Sequence, residues 1–247
     1  QPITADDQIE IELTFVLNNL DKNQGVVKLV VESGNQYAVS VNGNTDICPA
    51  GTWLDPAFTT FDITKGLQEG DNTVILSTTF SELWELENCF VLGDFQVTHD
   101  KIRKPHKADF KLASIGLGDW VTQGYPFYAG EMEYKTTFQW RASNRGQAVL
   151  QLVNLQAPIA GIYVNGEYCG RIALPPYEID ITPWVRPGEN ELCVVVTNSL
   201  RNLLDPLHYV TMQFIAGPDT FSDPNNWQDE YHLVPQGIDG VKVIERR

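Results

Sequence analysis

The chain has 247 residues, 43% of them hydrophobic and 11% aromatic, and a formal net charge of −15. That length suits one large or two ordinary domains able to bury a core, and the composition is globular, without the 18 or so consecutive apolar residues of a membrane span. A pI near 4.5 excludes nucleic acid as a partner, because no basic stripe exists to displace counterions from phosphates; a neutral ligand or a cation such as calcium stays compatible.

Gln1-Pro2-Ile3-Thr4 lacks the basic start and apolar core of a signal peptide. A strand pattern begins almost at once, so the chain is expected to be an excised piece of something longer. Ile9, Ile11, Leu13 and Phe15 alternate with polar residues, the period of a half-buried strand. Strands are expected next over 26–31 and 37–41, the latter ending at Asn42-Gly43, a pair that tolerates the positive φ of a tight hairpin. Further strands are expected over 59–63, 73–79 and 89–97, with a bend at Gly93-Asp94. The polar segment 100–107, with Pro105, marks the domain boundary, giving domains 1–104 and 105–247.

The second half then repeats the first. Val41-Asn42-Gly43, Phe61-Asp62-Ile63-Thr64 and Gly70-Asp71-Asn72 return in order as Val164-Asn165-Gly166, Ile179-Asp180-Ile181-Thr182 and Gly188-Glu189-Asn190. Ile11 aligns with Tyr134, Phe15 with Phe138, Leu29 with Leu152 and Asn42 with Asn165, each at an offset of 123; Asp62 and Asn72 follow at 118. Phe90-Val91-Leu92 aligns with His232-Leu233-Val234 across an insertion at about 199–228. The first copy lacks a counterpart of 108–130, so its first strand is expected to be missing. Without sustained 3.6-residue periodicity, the class is all-β, two tandem sandwiches.

Motifs of catalysis are absent: there is no H-E-x-x-H, G-x-S-x-G, P-loop or dinucleotide fingerprint among these residues. None of Cys48, Cys89, Cys169 and Cys193 forms a C-x-x-C pair, and Cys193 reads as a small core residue. Glu131 and Glu133 could run glycoside hydrolysis as a pair, but alternation puts them on the solvent side of their strand. Glu85 and Glu87 could anchor an interface, but read rather as flanks of a buried Trp84. Asp62 and Asp180, each before Ile-Thr, read as turn-fixing side chains. Sugar recognition needs flat apolar rings beside hydroxyl-satisfying polar groups. Residues 119–128 offer both, as do, more thinly, Trp53 with Asp55 and Trp227 with Tyr231. The carbohydrate candidates are Trp120, Gln123, Tyr125 and Tyr128, with Arg201, Asn202 and His208 of the insertion; against this, each aromatic also reads as a cap on a sandwich end or as interface packing, the commoner use of such rings.

The phrases VNG, DIT and GENELCVVVTN resemble the galactose-binding-like β-sandwich found as the sugar-binding domain of glycoside hydrolase family 2. The runs DWVTQGYPFYAGEMEY (119–134), LWELENCFVLGDFQV (83–97), VNGEYCGRI (164–172) and TNSLRNLLDPLH (197–208) are similar to accessory sandwiches of large bacterial alpha-L-rhamnosidase-like hydrolases. The resemblance implies two jelly rolls, a parent enzyme acting on polysaccharide, and export to the periplasm, cell surface or medium. It also implies that acid and base sit in a separate catalytic barrel, for which 247 residues have no room. No catalytic residue and no cofactor is expected here, apart from the structural calcium such domains often hold, whose ligands no cluster in the sequence identifies. The reading is a non-catalytic accessory region that packs on the catalytic domain and contacts sugar. Its rivals are a stand-alone carbohydrate-binding module and a hydrolase working through the Glu131/Glu133 pair.

Overall fold

The computed structural model describes residues 4, 7–23, 25–81, 88–98, 107–141, 146–204, 208–210 and 224–246. Among the described residues the fold is all-β, with several sheets and one short α-helix. It divides into two compact units, Gln1–Ala113 and Ser114–Arg247. The expected boundary at 104/105 lies outside the described residues, as do Glu85 and Glu87 with Trp84 and the insertion segments 205–207 and 211–223.

In the first unit the strands are β1 (Gln8–Asn18), β2 (Lys28–Glu32), β3 (Ala38–Val41), β4 (Pro49–Trp53), β5 (Asp55–Asp62), β6 (Gly70–Thr79), β7 (Phe90–Leu92), β8 (Gln96–Thr98) and β9 (Lys107–Asp109). They form a five-stranded sheet, β3-β6-β1-β9-β8, and a four-stranded one, β4-β5-β2-β7. Inward residues of both sheets, among them Leu17, Leu29, Val31, Val41, Phe61 and Leu76, share one core, the two-layer solution for amphipathic sheets. Because β9 pairs with β1 and β8, residues 107–109 belong to this unit and not to the second. The bend at Gly93-Asp94 separates β7 from β8 as the sequence predicts.

The second unit contains β10 (Gly118–Asp119), β11 (Glu131–Trp140), β12 (Gln147–Val153), β13 (Ile159–Val164), β14 (Glu167–Ile172), β15 (Glu178–Asp180), β16 (Gly188–Thr197), the helix α1 (Arg201–Leu204), β17 (Gly237–Ile238) and β18 (Gly240–Arg246). The sheets are β11-β16-β13-β14, β15-β12-β18 and the pair β10-β17. The repeat holds at the level of single registers. Ile11 faces Leu76 and Phe15 faces Asn72, while Tyr134 faces Val194 and Phe138 faces Asn190. Asn42 and Asn165 both take positive φ ahead of Gly43 and Gly166, at φ +81° and +85°, the turn geometry that their side chains tolerate. Asp62 and Asp180 each accept the N–H two residues on, from Thr64 and Thr182, so both are turn-fixing residues.

Three expectations are corrected. Thr64 Oγ1 accepts the Val27 N–H and Thr182 Oγ1 the Ala148 N–H, which makes Val27 the partner of Ala148 and Leu29 the partner of Leu150, not of Leu152. The second copy has dropped two residues before β12, and a two-residue step leaves every side chain on its own face. By the same frame Leu29 faces Val91 and Leu150 faces Val243, so the counterpart of Phe90–Leu92 is 242–244 and not 232–234. Cys193 lies on the outward side of β16, because Leu192, Val194 and Val196 take the inward positions; all four cysteines are free thiols.

Candidate functional site

One end of the second unit gathers residues 115–130, 198–204, 208–209 and 224–238. Its base is the short pairing of β10 with β17. A Cβ on Gly237 would stand 2.3 Å from Gly118 O and 2.9 Å from Trp120 Nε1, so only glycine permits this approach. Asp119 caps the turn Trp120–Gln123, its Oδ1 accepting the Val121 and Gln236 N–H groups, each at 3.0 Å.

The capped turn drives Trp120 inward. It is 0% exposed, lies in the core with Leu150, Ile162 and Ile238, and donates its Nε1–H to Tyr134 OH at 2.5 Å. Trp120 is therefore a core residue and no stacking platform for sugar. Gln123 is likewise occupied: its Oε1 accepts the Gly116 N–H at 2.7 Å and its Nε2 donates to Asp119 O at 3.2 Å. Tyr128 donates to Glu131 O at 2.8 Å and stands edge-on to Trp120 and Tyr125; burial raises its phenol pKa. Tyr125 is half-buried against the same core.

Two asparagines tie the segments together. Asn198 accepts the Gly130 N–H at 2.8 Å and donates to Tyr128 O at 2.6 Å and Gln236 Oε1 at 2.5 Å. Asn202, fully buried in α1, donates to Val234 O at 2.8 Å and accepts the Val234 N–H at 2.9 Å. Its amide thus replaces a strand partner, which is a structural role. Arg201 is half-buried beside it, with Nη1 sealed from solvent.

His208, the last of the insertion candidates, faces rings. Residues 208–210 run antiparallel to 226–228: Gln228 N–H donates to His208 O at 2.8 Å and Val210 N–H to Asn226 O at 2.9 Å. His208 Nδ1 lies 3.1 Å from Gln228 O, and since a carbonyl only accepts, Nδ1 carries the proton. The imidazole stacks on Trp227 with centroids 4.7 Å apart and planes at 28°, and meets Tyr231 at 4.5 Å. Tyr231 meets Phe127 edge-on at 5.1 Å. Four rings therefore form a ladder, Phe127–Tyr231–His208–Trp227, whose outermost member is 55% exposed. Exposed Asn225, Asp229 and Glu230 and half-buried Gln228 lie near it in the chain.

The ladder joins two stretches that the sequence marks separately, through Phe127 and His208, with the Trp227/Tyr231 pair between them. Trp227 with Tyr231 and the stretch holding Phe127 are marked in the sequence, but these three residues are not among the named candidates, and no spacing rule links Phe127 to a ring 100 positions away. Glu131 and Glu133 are exposed as expected; Glu133 pairs with Lys135, and Glu131 accepts from Thr197. Among the described residues no three His, Cys, Asp or Glu side chains are grouped to hold a metal, so no calcium ligands are assigned.

No protein-family model and no curated protein matches the chain. Among solved structures it is similar to a rhamnosidase from Novosphingobium sp. PP1Y, at 17% identity over 98% of this chain and TM-score 0.40. It is also similar to an alpha-L-rhamnosidase of Streptomyces avermitilis complexed with L-rhamnose, at 16% identity over 98% of this chain and TM-score 0.35. A lectin from Pleurotus ostreatus in complex with GalNAc matches 78% of this chain, and 67% of its own, at 12% identity and TM-score 0.24. The chain spans 22% and 26% of the two rhamnosidases.

Proposed function

We propose that this chain is a pair of galactose-binding-like jelly rolls, a non-catalytic accessory region of an exported bacterial glycoside hydrolase, and that its second unit contacts carbohydrate through the Trp227 platform. The carrying observation is the ring ladder: a half-exposed indole held by an imidazole that is itself fixed by Gln228 and Tyr231. A ring immobilised before the ligand arrives loses little entropy on binding, and an exposed indole offers a flat apolar face for sugar C–H groups. The repeated turns and the sequence phrases shared with accessory sandwiches support the parentage. Packing on a catalytic domain of the same chain follows from that parentage.

Trp227→Ala is expected to weaken retention of the intact chain on a glycan array about tenfold, with thermal stability changed little because the ring is at the surface. His208→Ala, which removes the support and leaves the indole, is expected to give a smaller loss. Equal retention by wild type and Trp227→Ala on every glycan would remove Trp227 from the reading. Retention of the wild type on none would remove the carbohydrate function altogether.

A further inference from the structure

The outward face of the sheet β11-β16-β13-β14 carries a second ring cluster, unconnected with the ladder. Register places Lys135, Cys193, Tyr163 and Tyr168 in one row across the four strands and Glu133, Val195, Gly161 and Arg171 in the next. A Cβ at Gly161 would lie 3.6 Å from Tyr163 Cε2 and 3.9 Å from Val195 Cβ. The Tyr163 ring thus reaches back over the glycine. Tyr168, 52% exposed, stands 5.2 Å from Tyr163 with planes at 51°. The register step between Ile162 and Tyr163 turns Tyr168 onto this face and sends Cys169 to the core side, a re-aiming that bulges commonly perform.

The repeat supplies an internal control. At the positions of Gly161 and Tyr163 the first unit has Ala38 and Ser40, facing Ser77 and Ile75 as Gly161 and Tyr163 face Val195 and Cys193. Glu10 and Glu12 stand where the second unit has Glu133 and Lys135. The same scaffold folds without the rings, so the rings answer to something other than the fold.

We infer that Gly161, Tyr163, Tyr168 and Arg171 form a second saccharide-binding face, for a neutral pyranose. The two rings, Tyr163 seated over the glycine, offer apolar surface to C–H groups. The charges at the two ends of the Gly161 row are opposite, Arg171 a fork of donors and Glu133 an acceptor that Lys135 of the neighbouring row already partly neutralises. Among the described residues the Arg171 side chain has no hydrogen-bond or ion-pair partner, while Glu133 pairs with Lys135. Such an arrangement complements hydroxyls, which both donate and accept, better than it complements an anion on a chain of net charge −15.

The inference rests on the carbohydrate reading of the chain but not on Trp227, and the test separates them. The intact Trp227→Ala chain is run through native gels containing galactomannan, xyloglucan or arabinogalactan, with polygalacturonate as the acidic comparison. Retardation by at least one neutral polysaccharide is expected. Adding Tyr168→Ala is expected to weaken it about tenfold, and adding Arg171→Ala about threefold, while Tyr168→Phe restores most of it and so controls for folding. Loss of all retardation on Trp227→Ala alone would overturn this second face and leave the first. Retardation unchanged by Tyr168→Ala, or seen only with polygalacturonate, would also overturn it. A dimer in sedimentation that Tyr168→Ala dissolves would overturn it too, by making the face an interface between copies.

Discussion

Replacing Trp120 with alanine is expected to cost the second unit about 3–5 kcal/mol, the range for deleting a large buried aromatic ring. The indole is 0% exposed and lies in the core with Leu150, Ile162 and Ile238. The cost is transfer and cavity together, because residues 118–120 are pinned by the Gly237 approach and the Gln236 bonds and collapse little into the void. Tyr134 OH also loses its donor, although that phenol is half-buried and water replaces the bond at small cost. Trp120→Phe keeps most of the volume and is expected to lose much less, about 1 kcal/mol for the absent N–H beyond the change in size. The measurement is hydrogen exchange across the β11–β16 ladder in the intact chain, read against the β1–β6 ladder as a control. Protection in the second unit should fall at least a hundredfold for Trp120→Ala with the first unit unchanged. A loss no larger than that of Trp227→Ala would contradict the core assignment.

That the sequence leaves Trp120 open between sugar stacking and core packing, and the structure places it in the core, shows where sequence reasoning stops. Alternation along β1 and β11 is legible, because period 2 is imposed by the pleat itself. The turns at Asn42-Gly43 and Asn165-Gly166 are legible because few residue pairs take their backbone angles. Burial of an aromatic outside a strand leaves no such mark. Trp120 and Trp227 stand among similar neighbours, yet one is sealed by a glycine 117 positions away and the other is exposed. The two-residue shift between β2 and β12 escapes the apolar pattern for the complementary reason: it preserves every face. The Thr64 and Thr182 hydroxyls, each at one fixed backbone N–H, report it, as do the pairings of Asp62 with Lys28 and of Asp180 with Val149. The ladder was half legible. Trp227 with Tyr231 is near enough in sequence to notice, and His208 stands in the stretch the copies do not share. Their meeting depends on the pairing of 208–210 with 226–228, short segments with no periodic signal of their own.

Asn190→Ala is expected to destabilise the second unit by about 2–4 kcal/mol, more than its modest size suggests, because the amide is saturated. It is fully buried. Its Oδ1 accepts from the Arg186 N–H at 2.8 Å and Asn165 Nδ2 at 2.9 Å, and its Nδ2 donates to Arg186 O at 2.8 Å and Gly188 O at 3.0 Å. Alanine removes one bond from each of four polar groups, of which Asn165 Nδ2 keeps Trp184 O; burial sets what each loss costs, about 1–3 kcal/mol if sealed and far less where water enters. The first unit offers the same experiment twice over. Asn72 holds Gln68 N–H and O, Gly70 O and Asn42 Nδ2 in the corresponding bonds, so Asn72→Ala should cost a similar amount. With no shared partner, the two losses should add within about 0.5 kcal/mol in the double variant. Asn190→Asp sharpens the test by keeping the volume. Its carboxylate would face two carbonyl oxygens, so burial and repulsion hold its folded pKa above the unfolded value of about 3.9. The folded state then binds more protons than the unfolded one between those two values, and stability falls as pH rises through that window. Urea midpoints measured from pH 4 to pH 8 should show Asn190→Asp closest to wild type at the acid end. A variant equally stable across that range would mean that the amide is not the hub of the turn.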